Sequence, residues 1–207
     1  PLRVGLAAPT GKAAARVRTA VSEALEGILD RTTDPATRAL VEPLAGIEAM
    51  TLHRLLGWNP DSRSRFRHHR TNRLPHDVVL VDEASMVSLT HMARLLEALR
   101  PTARLILVGD ADQLVSVDAG AVLADLVAGA EQAGGAAPLV VTRLRTVHRF
   151  GETIGALADA LRRGDADDVV AALAAGSGEV QWVRETEAAP HLRDLVTRHA
   201  RDVLAAA

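Results

Sequence analysis

The 207-residue chain carries 24 Lys and Arg against 26 Asp and Glu, a net charge of −2, and no cysteine. That excludes disulfides and thiolate metal sites and gives no bulk electrostatic case for binding nucleic acid. No apolar run approaches a membrane span and no signal peptide leads the chain, so a cytoplasmic protein that avoids the membrane is expected. Arginine is abundant, but Lys12 is the single lysine. The length suits one α/β domain plus part of another, and a strand that begins almost at Pro1 reads as a piece of a longer protein.

In chain order, residues 2–8 read as a strand and Pro9-Thr10-Gly11 as the turn after it. A helix is predicted from about Lys12, with Val17, Val21, Leu25 and Ile28 on one face. The Thr10-Gly11-Lys12 turn is not a G-x-x-x-x-G-K-[ST] loop, because Leu6 and Ala13 stand where that pattern needs glycine and a hydroxyl. It reads either as a helix N-terminus offering N–H groups, Thr10 and Lys12 to the phosphate of a nucleic-acid strand, or as a simple capped helix start. Residues 30–50 read as a connection with one short helical turn. Residues 51–57 read as a short helix, capped by Thr51 and closed by Gly57. The basic run 61–73 is expected to be a solvated loop in preference to a phosphate-binding groove. Its adjacent His68 and His69 lack partners at ligand spacing.

Val78-Val79-Leu80-Val81 runs straight into Asp82-Glu83. The aliphatic run predicts a strand buried on both faces inside a parallel sheet, with the acids at its C-terminal end, where open α/β sheets bind ligands. There Asp82 can hold Mg²⁺ and Glu83 can orient or deprotonate an attacking water. A helix follows, with Leu89, Met92, Leu96 and Leu99 as its expected core face. Residues 104–108 repeat the layout, leading into Gly109-Asp110-Ala111-Asp112-Gln113-Leu114. Gln113 is able to donate to a phosphate oxygen or hold a water. A helix is expected over 121–130 and a strand over 139–142. Arg143, Arg145 and Arg149 follow, of which Arg149 is the candidate for reaching a γ-phosphate. Beyond Gly151 helices are expected to end at Gly164 and Gly176. A short strand over 179–184 would place Val180 and Trp182 on one side, and a last helix covers 188–204. The domain boundary is placed between residues 147 and 148.

Taken together these motifs resemble the RecD family: the alpha subunit of exodeoxyribonuclease V and related superfamily 1 DNA helicases. Ala7-Ala8-Pro9-Thr10-Gly11-Lys12-Ala13-Ala14 is similar to the family's DNA-contacting motif Ia, and Thr51-Leu52-His53-Arg54-Leu55-Leu56 to motif Ic. Residues 66–75 resemble the segment before Walker B. Val81-Asp82-Glu83-Ala84-Ser85-Met86 is similar to motif II, Val108-Gly109-Asp110-Ala111-Asp112-Gln113-Leu114 to motif III, and His148-Arg149-Phe150 to motif IV, with His148 where the family often has tyrosine. Each motif is weak alone, and six in order are strong. The resemblance implies a RecA-like P-loop NTPase sheet flanked by helices (residues 1–147, lobe 1A without its Walker A segment) and the start of a second, mostly helical RecA-like lobe (148–207). It implies Mg²⁺ on Asp82, water activation by Glu83, γ-phosphate sensing by Gln113 and an arginine finger in Arg149. Thr10, Lys12, Thr51 and His53 would contact single-stranded DNA.

The expected function is therefore a fragment of an ATP-dependent 5′-to-3′ DNA helicase subunit acting in double-strand-break repair and recombination, with ATP and Mg²⁺ as cofactors and RecB- and RecC-like subunits as candidate partners. Lacking the triphosphate cradle, the fragment alone is expected to be inactive. Two alternatives stay open: a catalytically dead module that binds DNA or docks partner subunits, and a RecA-like ATPase acting on something other than DNA.

Overall fold

The computed structural model describes residues 2–59, 66–113, 121–133, 139–144 and 151–205. The chain divides into two compact units, Pro1–Val141 and Thr142–Ala207. The boundary expected at residues 147 and 148 falls outside the described residues.

The first unit is built on a parallel sheet of four strands among the described residues, in the order β2-β1-β3-β4. These are β1 (Val4–Ala8), β2 (Ala49–Thr51), β3 (Val78–Val81) and β4 (Arg104–Leu107). The register aligns Ala7 with Val81 and Val81 with Leu107, and Ala8 with Thr51. Every strand thus ends at the same edge. A long α1 (Gly11–Arg31) follows β1; Thr10 caps it, its Oγ1 accepting from the Ala13 N–H at 3.2 Å. Then come α2 (Pro35–Val41), capped by Asp34, and α3 (Leu52–Leu55), whose cap is Thr51. Gly57 closes α3 with φ +68°, a left-handed turn that a side chain resists. β3 is followed by a 3₁₀ turn (Ala84–Met86), then α4 (Leu89–Ala98) capped by Ser88; α5 (Val122–Gln132) comes after β4.

The core lies on one face of the sheet. Val79 and Val81 pack there with Leu52, Leu55, Leu56, Leu74, Val87, Met92 and Leu95. Burying such a side chain fully contributes about 1.5–3 kcal/mol. On the other face α1 packs against β1 and β2, giving a second small cluster of Ala8, Ala13 and Ala14.

Four expectations are corrected. β3 is fully buried on one face only, since Val78 and Leu80 lie on the α1 side and remain partly exposed. On α4 the expected Met92 and Leu99 are buried, but Leu89 and Leu96 are exposed, and Leu95 and Ala98 take their places in the core. Residues 139–142 form no strand, because no described strand pairs with them, and Val140 is exposed. Residues 179–184 form none either. The Ser177 hydroxyl takes up the N–H groups of Glu179 and Val180 in a turn, burying Val180 while Trp182 is exposed. The sequence reading also passed over β2 inside the 30–50 connection.

The second unit holds α6 (Glu152–Arg163), α7 (Ala166–Ala175) and α8 (Glu185–Ala205). Gly164, at φ +69°, ends α6, and Asp165 caps α7 through the Asp168 N–H. Among the described residues no helix is long and apolar enough to cross a membrane.

Candidate functional site: the C-terminal edge of the sheet

Parallel strands deliver their C-terminal residues together. Pro9 to Lys12 emerge from β1, Thr51 to His53 from β2, Asp82 and Glu83 from β3, and Val108 to Gln113 from β4. The structure therefore brings seven of the eight predicted residues to one edge. The eighth, Arg149, lies outside the described residues with the rest of His148-Arg149-Phe150.

Asp82 extends the sheet by one hydrogen bond, its N–H donating to the Ala7 carbonyl at 2.9 Å. Its partly buried carboxylate is thus carried on rigid backbone. Glu83 then turns out of the strand direction. At φ 51° and ψ 40° it is the one non-glycine residue with positive φ among the described residues. Such a conformation costs an L-residue roughly 1–2 kcal/mol and recurs where function requires it.

The chain after Glu83 is fastened to β4. The Ala84 N–H donates to the Val108 carbonyl at 2.8 Å, and the Val108 N–H to the Val81 carbonyl at 2.8 Å. Gly109 permits this closeness. A Cβ there would stand 3.0 Å from the nitrogens of both Ala84 and Ser85 and 2.9 Å from Leu123 Cδ2. Ser85, buried, points its Oγ at Gln113 Oε1, 3.5 Å away. Asp110 shapes the loop, its Oδ1 accepting from the Asp112 N–H at 3.0 Å and its carbonyl from the Gln113 N–H at 3.3 Å. Gln113 itself is exposed. Ser85 and Gly109 were part of the motifs in sequence, but their joining role needs the fold.

On the other half of the edge, Thr10, Lys12 and His53 are exposed and Thr51 is partly so. Both threonine oxygens accept from backbone, Thr10 from Ala13 and Thr51 from Arg54 at 3.3 Å. Each hydroxyl hydrogen remains able to donate outward. His53 sits in a group of rings: His91 at 4.4 Å between centroids, Trp58 at 6.0 Å and Phe66 at 6.2 Å. Sequence reasoning missed His91, which lies 38 residues from its partner.

The described part of the basic segment is mostly structural. His69 and Asn72 bridge each other, and Arg73 reaches back to the carbonyls of Glu97 and Leu99 at the end of α4. Among the described residues no group of three or more His, Cys, Asp or Glu is placed to hold a metal. A carboxylate on a fixed strand end, with water completing the shell, suits Mg²⁺, which keeps several waters and takes one or two protein oxygens. Asp82 fits that demand. Gly11 makes no cradle, having an ordinary φ and no atom within 4 Å of where its Cβ would be.

The AAA domain family matches residues 2–185. The chain is 56% identical over 200 residues to the RecBCD enzyme subunit RecD of Mycolicibacterium smegmatis, covering 96% of this chain and 33% of that protein. It is 54% identical over 198 residues to the RecBCD enzyme subunit RecD of Mycobacterium tuberculosis, with 96% and 32% covered. An ATP-dependent RecD2 DNA helicase of Deinococcus radiodurans is 41% identical over 119 residues, 58% of this chain and 13% of that protein. The chain thus spans about a third of the length of the first two relatives.

Proposed function

This chain belongs to the AAA domain family, in its RecD group, and from that membership we propose that it is the nucleotide-hydrolysing and strand-gripping core of an ATP-dependent 5′-to-3′ DNA helicase subunit. The parent protein would act in double-strand-break repair and recombination with RecB- and RecC-like partners. The observation that carries the reading is the interlock of β3 and β4, which holds Asp82, Glu83 and Gln113 together at the end of the sheet.

In this reading Mg-ATP, when bound, supplies the scissile phosphoanhydride and the cation that neutralises its charge. Asp82 holds the cation's water shell from the fixed end of β3. Glu83, turned out by its left-handed backbone, orients the attacking water and receives its proton. Gln113 donates to the terminal phosphate, and Ser85 ties that contact to the Glu83 turn. Arg149 is the arginine finger. Thr10, Lys12, Thr51 and His53 grip the phosphates of single-stranded DNA, the two hydroxyls and Lys12 as donors at helix N-termini.

The 207-residue chain contains no G-x-x-x-x-G-K-[ST] loop, so alone it should hydrolyse ATP negligibly while retaining a salt-sensitive grip on oligo-dT. Two measurements test this. Glu83→Gln in the parent protein should abolish DNA-stimulated ATP hydrolysis with DNA binding intact. Lys12→Ala in this chain should weaken oligo-dT binding and lower its salt slope by about one. Helicase-rate hydrolysis by this chain alone, lost on Glu83→Gln, would overturn the assignment of the cradle to another segment.

A further inference from the structure

The His53 ring, proposed above as a DNA contact, is not free to choose its orientation or its proton. His91 Nε2 lies 3.0 Å from His53 Nε2, and His91 Nδ1 lies 2.8 Å from Ser88 Oγ. Ser88 Oγ already accepts the His91 backbone N–H at 3.3 Å as the cap of α4. Its own hydrogen is therefore available to His91 Nδ1. A neutral imidazole that accepts at Nδ1 donates at Nε2. The chain of donors then runs Ser88 O–H to His91 Nδ1, and His91 Nε2–H to His53 Nε2. It leaves His53 Nδ1–H as the outward donor.

We propose that His91, set by Ser88, is a positioning residue that aims His53 at a DNA phosphate and lets the two rings take up one proton together when the strand binds. This rests on the reading of His53 as a DNA contact. The proton balance is simple. One proton arrives from solvent at His91 Nδ1, which now donates to Ser88 Oγ after the hydroxyl rotates. The proton on His91 Nε2 passes to His53 Nε2. His91 ends neutral and His53 ends as an imidazolium that still donates to His91. A second proton is refused, because two cationic rings would face each other across 3.0 Å.

The surroundings favour this division. His91 is partly buried and His53 exposed. Burial, and secondarily the charge of His53, hold the His91 pKa below the usual imidazole value. β1 and β2, against which α3 packs, carry no titratable side chain. On α3 the other charge is Arg54. In the described part of the loop before β3 stand Arg67, His68, His69, Arg70, Arg73, His76 and Asp77. On α4, Arg94 and Glu97 pair with each other at 2.9 Å. Cations thus predominate, and a DNA phosphate supplies the countercharge that draws the proton in. Phe66 and Trp58 close the ring group, each with its centroid 6.0–6.2 Å from that of His53.

The test is oligo-dT binding by fluorescence anisotropy across the imidazole range, on the wild-type chain and two variants. Wild-type affinity should fall as pH rises, by up to about tenfold per pH unit for one linked proton. His91→Gln keeps an amide donor for His53, so it should keep the wild-type affinity at high pH. His91→Phe, which offers His53 no donor, should lose it. A His91→Phe protein with wild-type affinity and slope overturns the proposal. Binding with a flat pH profile overturns the pair and leaves the DNA reading standing, whereas no oligo-dT binding at any pH overturns both. Nitrogen-15 spectra of the free chain give an independent readout: an Nε2–H tautomer at His91 and a single joint proton uptake are expected, and two independent titrations refute it.

Discussion

Replacing Gly109 with alanine tests the interlock at the heart of the site. The added Cβ would stand 3.0 Å from the nitrogens of Ala84 and Ser85 and 2.9 Å from Leu123 Cδ2. Leu123 can rotate away, but the two nitrogens cannot, because Ala84 N–H is committed to the Val108 carbonyl and opens the 3₁₀ turn. Overpacking of this kind costs about 1–3 kcal/mol, or roughly 2–12 °C in Tm for a chain of this size. The turn must lift, carrying Glu83 with it. A displacement of even about 1 Å at a catalytic group can lower turnover about a hundredfold. The matched control is Gly129→Ala, inside α5, where a Cβ meets nothing within 4 Å. There the better helix former should stabilise by up to about 1 kcal/mol. Thermal unfolding followed by circular dichroism reads both variants, and DNA-stimulated hydrolysis by the parent protein reads the first. Equal Tm changes for the two alanines would refute the argument that closeness at Gly109 holds the turn down.

Glu83→Gly should raise Tm by about 1–4 °C while abolishing hydrolysis, since removing a left-handed side chain relieves roughly 1–2 kcal/mol and the freer unfolded glycine returns about half of it; a lower Tm would show that Glu83 is not strained. Asp77 accepts from the Arg3 backbone N–H and from the Arg100 and Arg3 guanidinium groups, contacts that hold its pKa down to about 2. A depressed carboxylate stabilises above its unfolded value, near 3.9, and that contribution disappears as pH falls towards the folded value. The urea midpoint of the wild type should therefore drop between about pH 4 and 2, and Asp77→Asn should drop less over the same window; identical acid limbs would remove Asp77 from the account.

What could be read in the sequence was what local chemistry dictates. Thr10 and Thr51 before helices, Gly57 and Gly164 after them, and the aliphatic runs of β1 and β3 each carry their own signal, and the caps sit where they were expected. The readings that failed depended on partners. Ala49-Met50-Thr51 has no strong strand signature and forms β2 because β1 offers it an edge. Leu139-Val140-Val141-Thr142 has the signature and no described neighbour to pair with. The α4 face was half right: Met92 and Leu99 are buried, while Leu89 and Leu96 yield to Leu95 and Ala98, a rotation of the stripe that periodicity alone does not fix. The same logic hid His91, which acquires meaning only when α3 and α4 bring two rings together.

The order of the strands sorts the edge into two halves. Under the proposed roles, DNA is held from the ends of β2 and β1, and nucleotide from the ends of β3 and β4. The halves meet between β1 and β3, where the Asp82 N–H is bonded to the Ala7 carbonyl one turn before Thr10. Neighbouring strands lie about 4.8 Å apart, so the Mg²⁺-holding carboxylate and the strand-gripping turn share one rigid ladder. The His53–His91 contact forms a second bridge, from the helix after β2 to the helix after β3. A change in the grip on a phosphate at His53 therefore reaches α4 directly, and through Ser88 reaches the segment that follows the Glu83 turn. Communication between the two halves needs no long path in this unit: it needs only that these two bridges stay fastened, and the second can be cut by the His91 substitutions named above.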